Sequence, residues 1–315
     1  MRVLVVGAGR PLGAKIAVAL GQAGHQVTAT RFRAAEHDAA LVRVGAALSR
    51  LDARDTDAVS ALAADHDAAV LTPMLTTALP AALTLAQAGL ARGVVFSSHN
   101  VSAAPAGPVY PALAGAEAAL LQAAPGWIAL RPTMIYGHRE RDALAGLLRR
   151  AARWPALPRP GSGAALQQPI HVDDLARLAS ALATGAGPGG GRLAIGGPDT
   201  LSQTALLEAV YAALGRRPQV IALPLAPVRW AARVAATLGM PLPLDRHQIA
   251  RIERDKHVAE PADLPADLMP RTALADGLAR LAADIGLIPA GPEADAASSR
   301  PTGSAPQRPP KGTPR

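Results

Sequence analysis

Three groups of residues are of a type and spacing that could do chemistry. The first is the turn G-A-G-R-P-L-G at 7–13, which follows the apolar run at 3–6. Glycines let a backbone approach a ligand closely, and a helix starting near Pro11 would aim free N–H groups and its positive dipole end at a pyrophosphate. Gly7, Gly9, Arg10, Leu12 and Gly13 therefore read as a dinucleotide phosphate cradle. Their spacing, G-x-G-x-x-x-G, is one residue longer than the common fingerprint, which leaves an ordinary glycine turn as the plainer reading.

The second group is Arg31-Phe32-Arg33, after a run at 25–30 that reads as a strand. An acid at this place would suit the ribose hydroxyls of NAD, whereas a guanidinium can hold a 2′-phosphate bidentately. Arg31, helped by Arg33 and Arg10, thus points to NADP over NAD, the competing reading being solvated surface arginines. The third group is Ser97-Ser98-His99 with Tyr110. An imidazole titrating near neutrality can pass a proton, while a phenol without a nearby cation is a poor base there but still donates a hydrogen bond. A surface-loop His99 without chemical duty is the alternative.

Two further clusters read as structural. His171-Val172-Asp173-Asp174 precedes an apolar helical segment, where an Asp caps free N–H groups; capping is expected there, and no metal site is assigned. His138-Arg139-Glu140-Arg141-Asp142 reads as a solvated helix start, the alternative being arginines that contact an anionic substrate.

Positioning these groups takes a parallel sheet. Strands over 3–6, 25–30, 46–51, 68–71 and 94–97 alternate with helices from Pro11, over 56–64 and over 79–88. Such alternation implies right-handed β-α-β units and an α/β fold, a doubly wound parallel Rossmann sheet. Ligands bind beyond the carboxyl ends of such strands, where Gly7, Arg31, Asp52-Ala53, Thr72-Pro73, Ser97-Ser98-His99 and Arg131-Pro132-Thr133 all fall.

At this point the chain resembles the short-chain dehydrogenases/reductases, in particular the extended and atypical branch of NAD-dependent epimerases/dehydratases and nucleoside-diphosphate-sugar epimerases. The resemblance covers roughly residues 1–285. It rests on the glycine turn, Asp52 after the third strand, V-V-F-S-S at 94–98, Tyr110 seven residues before Glu117, L-R-P-T-M-I-Y-G at 130–137 and Q-P-I-H-V-D-D-L-A at 168–176. It implies that Asp52 and Ala53 lie near an adenine, Thr72 and Pro73 near its ribose, and Ser97 and Arg131-Pro132-Thr133 beside a nicotinamide. Tyr110, Ser98 and His99 are the catalytic candidates it implies.

The departures carry equal weight. Redox members of that family place a Lys four residues after the Tyr, the ammonium making the phenol a better proton carrier. The lysines here are Lys15, Lys256 and Lys311; Ala114, Glu140 and Gly215 stand four residues after Tyr110, Tyr136 and Tyr211. Pro111 puts Tyr110 at a helix entrance, the family's catalytic Ser or Thr aligns near His99, and Arg10 fills the middle glycine slot. Arg131 could replace the lysine electrostatically. Two functions stand open: an NADP(H)-preferring oxidoreductase or epimerase for a small carbonyl or sugar-like substrate, and an NADPH-binding structural or redox-sensing protein without turnover.

Composition sets the outer limits. The 315 residues are 50% hydrophobic but hold only three Trp, three Tyr and two Phe, so Ala, Leu and Val must fill the core. The absence of Cys excludes disulfides, thiolate nucleophiles and cysteine-bound metals. A dinucleotide-binding part over 1–136 is expected, then a segment over 137–289 that returns to the sheet and forms a mostly helical lid, with helices over 143–153, 174–183 and 202–214. An apolar stretch at 225–240 is expected to be core. Net charge is +8, and the Pro/Gly/Ser-rich segment 290–315 carries Arg300, Arg308, Lys311 and Arg315, so it reads as a disordered, solubilising tail. Neither a targeting segment nor a membrane span is visible, and the folded part shows no dense basic cluster for nucleic acid. A cytoplasmic protein taking a small-molecule substrate is expected, with a homodimer allowed.

Overall fold

The computed structural model describes residues 1–33, 36–103, 107, 109–139, 142–237, 249 and 251–288. The strands in chain order are β1 (Arg2–Val6), β2 (Gln26–Arg31), β3 (Ala47–Arg50), β4 (Ala68–Met74), β5 (Arg92–Phe96), β6 (Trp127–Pro132), β7 (Ile135–Tyr136), β8 (Leu157–Pro160), β9 (Leu166–Gln167), β10 (Ile170–His171), β11 (Gly191–Ile195), β12 (Leu201–Ser202) and β13 (Val220–Leu223). The helices are α1 (Pro11–Gln22), α2 (Asp38–Arg43), α3 (Thr56–Ala63), α4 (Leu75–Gln87), α5 (Asn100–Ala103), α6 (Val109–Ala123), α7 (Ala143–Arg153), α8 (Val172–Ala183), α9 (Gln203–Ala212), α10 (Leu225–Thr237) and α11 (Leu274–Asp284).

Val3 to Val6 are apolar at every position because β1 sits inside a seven-stranded sheet with both faces covered. Pleating sends Val3 and Val5 into one core and Leu4 and Val6 into the other. The order is β11-β6-β5-β4-β1-β2-β3, and every pairing in it is parallel. The chain therefore winds outward in both directions from β1. The crevice of such a sheet opens where β1 and β4 part company, at their carboxyl ends.

One core takes Ile16 and Leu20 of α1 with Leu175, Leu178 and Leu182 of α8; the other takes Val59 of α3, Leu85 of α4 and Leu120 of α6. Each such fully buried aliphatic side chain contributes about 1.5–3 kcal/mol. A third core, built by Tyr136, Leu144, Leu148, Val210, Leu278 and Leu281, joins α7, α9 and α11 beyond the sheet.

Four expectations need correction. Helix α4 begins at Leu75 rather than at 79, with Pro80 inside it; proline favours a first turn, so a reading from sequence starts the helix too late. The cap of α8 is His171, whose Nδ1 accepts from the Asp173 N–H at 3.3 Å, and neither aspartate does that work. Asp173 instead meets Lys15 at 2.6 Å, and Asp174 accepts from the Arg271 and Thr272 N–H groups at 3.1 and 2.8 Å. At the start of α7 Asp142 is not solvated: it is buried and caps Leu144 and Ala145, while its other oxygen accepts from Gly137 and His138, and Arg139 is exposed as expected. Finally, α10 buries Leu225 but leaves Trp230 68% exposed, so that stretch is not simply core. Glu140, Arg141 and the tail 290–315 lie outside the described residues.

Among the described residues no helix is long and apolar enough to cross a membrane, and no group of three His, Cys, Asp or Glu side chains could hold a metal.

Candidate functional site

The glycine turn lies at the carboxyl end of β1, directly against β4. Gly7 has φ +93°, and a Cβ there would come within 2.6 Å of Thr72 Oγ1. Thr72 braces the turn by donating its hydroxyl to the carbonyls of Val6 and Gly7 at 3.1 and 3.2 Å. A Cβ on Gly13 would sit 2.5 Å from the Gly7 carbonyl oxygen, so only glycine lets α1 start this close to the turn. Helix α1 opens with Pro11, and its Arg10 cap offers no side-chain acceptor. Its first N–H groups, those of Leu12 and Gly13 included, thus face the turn without an intrahelical partner.

A cleft of about 560 Å³ opens in front of this turn, lined by Gly7, Gly9 and Arg10 on one side and by Arg31, Phe32, Arg33, Thr72 and Pro73 on the other. A larger groove of about 650 Å³ runs along α1 and α8 and does not reach His99 or Tyr110.

The arginines in and beside this cleft are not equivalent. Arg31 donates from Nε to both oxygens of Asp38 at 2.8 and 2.9 Å, which ties it to the start of α2; hydrogen bonding to Asp38 raises its pKa. Arg33 and Arg50 instead flank the half-exposed ring of Phe32, their guanidinium carbons 5.9 and 5.7 Å from its centroid. Arg50 escaped the reading from sequence. The available signal was its register: it ends β3 opposite Arg31, at the same carboxyl edge. Asp52 is engaged twice by Arg54, at 3.0 and 2.8 Å, and this hydrogen bonding brings its pKa down to about 2.

The second part of the site forms at the ends of β5 and β6. The Ser97 hydroxyl is turned inward and donates to Glu117, a carboxylate with no solvent exposure. Arg131 grips the same carboxylate through Nε at 2.9 Å and through a second, shorter contact, and Arg192 adds a bond at 3.0 Å. Burial pushes the Glu117 pKa up, but Arg131, Ser97 and Arg192 together hold it below the ordinary carboxylate value. The guanidinium of Arg131 and the hydroxyl of Ser97 are thus both engaged by the buried Glu117 carboxylate. Thr133 likewise donates its hydroxyl to the Gln168 carbonyl, and the Pro132 carbonyl accepts from the His99 N–H at 3.0 Å.

Ser98 and Tyr110 are joined through Asn100. Ser98 Oγ accepts from the Asn100 N–H at 3.3 Å, and Asn100 Nδ2 donates to the Tyr110 hydroxyl at 3.2 Å. His99 Nδ1 is enclosed and makes no hydrogen bond among the described residues. Burial lowers the His99 pKa, and the charges of His257 and Arg131 push the same way against a smaller opposing hydrogen bond with the His257 backbone. Neutral His99 is accordingly the resting form at neutral pH, able to accept a proton. Asn100 and Arg251, which meet Tyr110, and His257, which lies near His99, carry no motif that a sequence reading could have used.

No family model matches the chain, and no curated protein matches it. Solved structures do. The UDP-glucose 4-epimerase of Thermotoga maritima, solved with UDP-glucose, superposes with a TM-score of 0.65 at 16% identity, covering 90% of this chain and 98% of that one. A dTDP-glucose 4,6-dehydratase from Streptomyces venezuelae with NAD bound gives 0.62 at 20% identity over 89% and 95%. The UDP-glucose 4-epimerase of Thermus thermophilus, also with NAD, gives 0.56 at 19% identity over 80% and 97%. The fold is theirs. The described part of the chain is thus a Rossmann-like α/β protein with the architecture of nicotinamide-dependent sugar epimerases and dehydratases.

Proposed function

We propose that this chain binds a nicotinamide dinucleotide, NADP(H) in preference to NAD(H), and acts on a small carbonyl or sugar-like substrate as an oxidoreductase or epimerase of the epimerase/dehydratase type. The observation that carries this reading is the turn at Gly7 and Gly13, where a Cβ would meet backbone or Thr72 at 2.5–2.6 Å, set in a cleft lined by Arg10 and Arg33, with Arg50 beside the Phe32 ring. Such a cradle fits a pyrophosphate, and guanidinium groups around an exposed aromatic ring fit an adenine with a phosphorylated ribose. Because Asp38 restrains Arg31, the selection of the 2′-phosphate falls mainly to Arg33 and Arg50. The bound dinucleotide would supply hydride chemistry. Tyr110 and Ser98 would hold the substrate oxygen by hydrogen bonds, and neutral His99 would take or return its proton.

A second reading, binding without turnover, is favoured by helix α6 itself. It carries Ala114 one turn after Tyr110, with the buried Leu113 beside it, and so brings no lysine to the phenol; the cation there is Arg251, whose guanidinium carbon lies 5.1 Å from the ring centroid.

Titration of the protein with NADPH and NADH, followed by nicotinamide fluorescence, tests the binding claim. NADPH is expected to bind at least about tenfold tighter, a ratio that one charge-assisted phosphate contact supplies. Arg33→Ser is expected to erase most of this preference while leaving NADH affinity unchanged. Equal affinities in the unaltered protein would overturn the NADP assignment. A carbonyl and nucleotide-sugar turnover screen then separates the two functional readings.

A further inference from the structure

Two stretches of the chain, 143–172 and 209–237, contain no Asp or Glu and carry four arginines each. The fold lays them side by side. Strand β13 pairs with β8 in parallel register, Val220 opposite Leu157, and the Leu157 N–H donates to the Gln219 carbonyl at 2.9 Å. Arg216 donates to the Ala151 carbonyl near the end of α7. Around this junction Arg150, Arg153, Arg216 and Arg217 are all exposed. Arg159 is turned to the Thr204 hydroxyl at 2.9 Å, and Arg229 meets Glu253 at 3.7 Å while staying half-exposed.

The same junction shows apolar side chains to solvent. Ile221, Ala222 and Leu223 are all exposed, and because successive residues of a strand point to opposite sides, both faces of β13 are open. Helix α10 then buries Leu225 against Ile249 and exposes Ala226, Pro227 and Trp230, which share one helical stripe. Ile221 is 56% exposed, Trp230 68% and Trp154, three residues before β8, 49%. Two of the three tryptophans therefore stand in the open in this region, whereas Trp127 is wholly buried.

An indole, with an apolar body and one N–H, suits the boundary between lipid headgroups and acyl chains, and arginines suit the phosphates above it. A second copy fits poorly. A two-fold contact would set the same arginines against one another, with no acid in either stretch to separate them. We propose that this face, formed by the end of α7, β13 and the first turns of α10, docks on an anionic lipid surface, with Ile221, Leu223 and Trp230 entering the interfacial layer and the arginines around them meeting lipid phosphates. Among the described residues no helix is long and apolar enough to cross a membrane, so the contact is one of lying on the bilayer. It does not involve the glycine cradle and stands whether or not that cradle takes a dinucleotide.

Cosedimentation of the full-length protein with vesicles of mixed phosphatidylglycerol and phosphatidylcholine, or of phosphatidylcholine alone, tests the contact. Binding to the anionic vesicles is expected to be at least about tenfold tighter and to weaken as salt rises. Salt dependence does not separate this face from the basic segment 290–315, so the depth of Trp230 decides. In Trp154→Phe, which keeps Trp230 and the enclosed Trp127, emission is expected to shift to the blue on anionic vesicles and to be quenched by brominated acyl chains. Trp230→Ser, a change at an exposed side chain with the fold checked by circular dichroism, is expected to weaken binding at least about tenfold. Binding without bromine quenching, or binding that Trp230→Ser leaves unchanged, would place the contact on the basic segment and overturn the proposal. Absence of binding to anionic vesicles overturns it as well, and an oligomer in sedimentation velocity that Trp230→Ser disperses would then make a second copy the occupant.

Discussion

Glu117 shows how much of this site is built from a single buried charge. It has no contact with solvent, yet it stays ionised because Ser97, Arg131 and Arg192 surround it with donors. Removing the carboxylate leaves the largely buried Arg131 without its counter-ion, at a cost of about 3–5 kcal/mol. Glu117→Gln keeps the shape and removes the charge, so chemical denaturation is expected to show a loss of at least about 3 kcal/mol. A loss below about 1 kcal/mol, the value of an exposed ion pair, would mean that the carboxylate is not the counter-ion of these arginines. The same substitution leaves Arg131 uncompensated beside His99 and should lower the imidazole pKa further, a change that NMR titration of His99 can read. Arg131 thereby reaches His99 through charge rather than contact.

The decisive contact among elements is that of α1 with the turn it follows. A Cβ at Gly13 would lie 2.5 Å from the Gly7 carbonyl oxygen, a backbone atom that cannot swing aside. Gly13→Ala must therefore push the helix away, at about 1–3 kcal/mol for overpacking, and pull its N-terminus off the position where a phosphate would sit. NADPH affinity is expected to fall at least about tenfold with the fold retained by circular dichroism. Gly115→Ala on α6, where a Cβ meets nothing within 4 Å, is the matched control and should bind NADPH normally. The sheet edge that places this contact was legible, because buried parallel strands are continuous apolar runs and their helices alternate with them. The part of the site drawn from 251–258 was not: its segment is irregular, its docking relies on backbone bonds to Leu166 and Gln168, and no residue type in it announces a neighbour so distant in sequence. Even Asp173 and Asp174, placed where a cap is expected, were diverted by Lys15 and the Arg271–Thr272 turn, partners that no local rule supplies.

For the whole molecule, one buried and two partly buried histidines should set the pH dependence of stability. His99, His138 and His171 all have pKa values lowered chiefly by burial, Asp142 partly offsetting the effect at His138 and Asp173 at His171. In the unfolded chain they titrate near the reference value of about 6.5. As pH falls through that value the unfolded state binds protons that the native state does not, so the free energy of unfolding must decrease with acid. The melting temperature is therefore expected to be level above about pH 7 and to drop from about pH 6.5 downward, well before the depressed carboxylates of Asp52, Glu117 and Asp174 begin to protonate below about pH 4. His171 gives the effect a structural cause. Its Nδ1 accepts the Asp173 N–H and caps α8, which a protonated nitrogen cannot do, and α8 packs through Leu175 and Leu178 into the same core as β1 and α1. His171→Asn, which retains an acceptor without titrating near neutrality, should flatten part of the slope. A melting temperature unchanged between about pH 7 and 5 in the unaltered protein would show that these imidazoles are not held neutral by the fold.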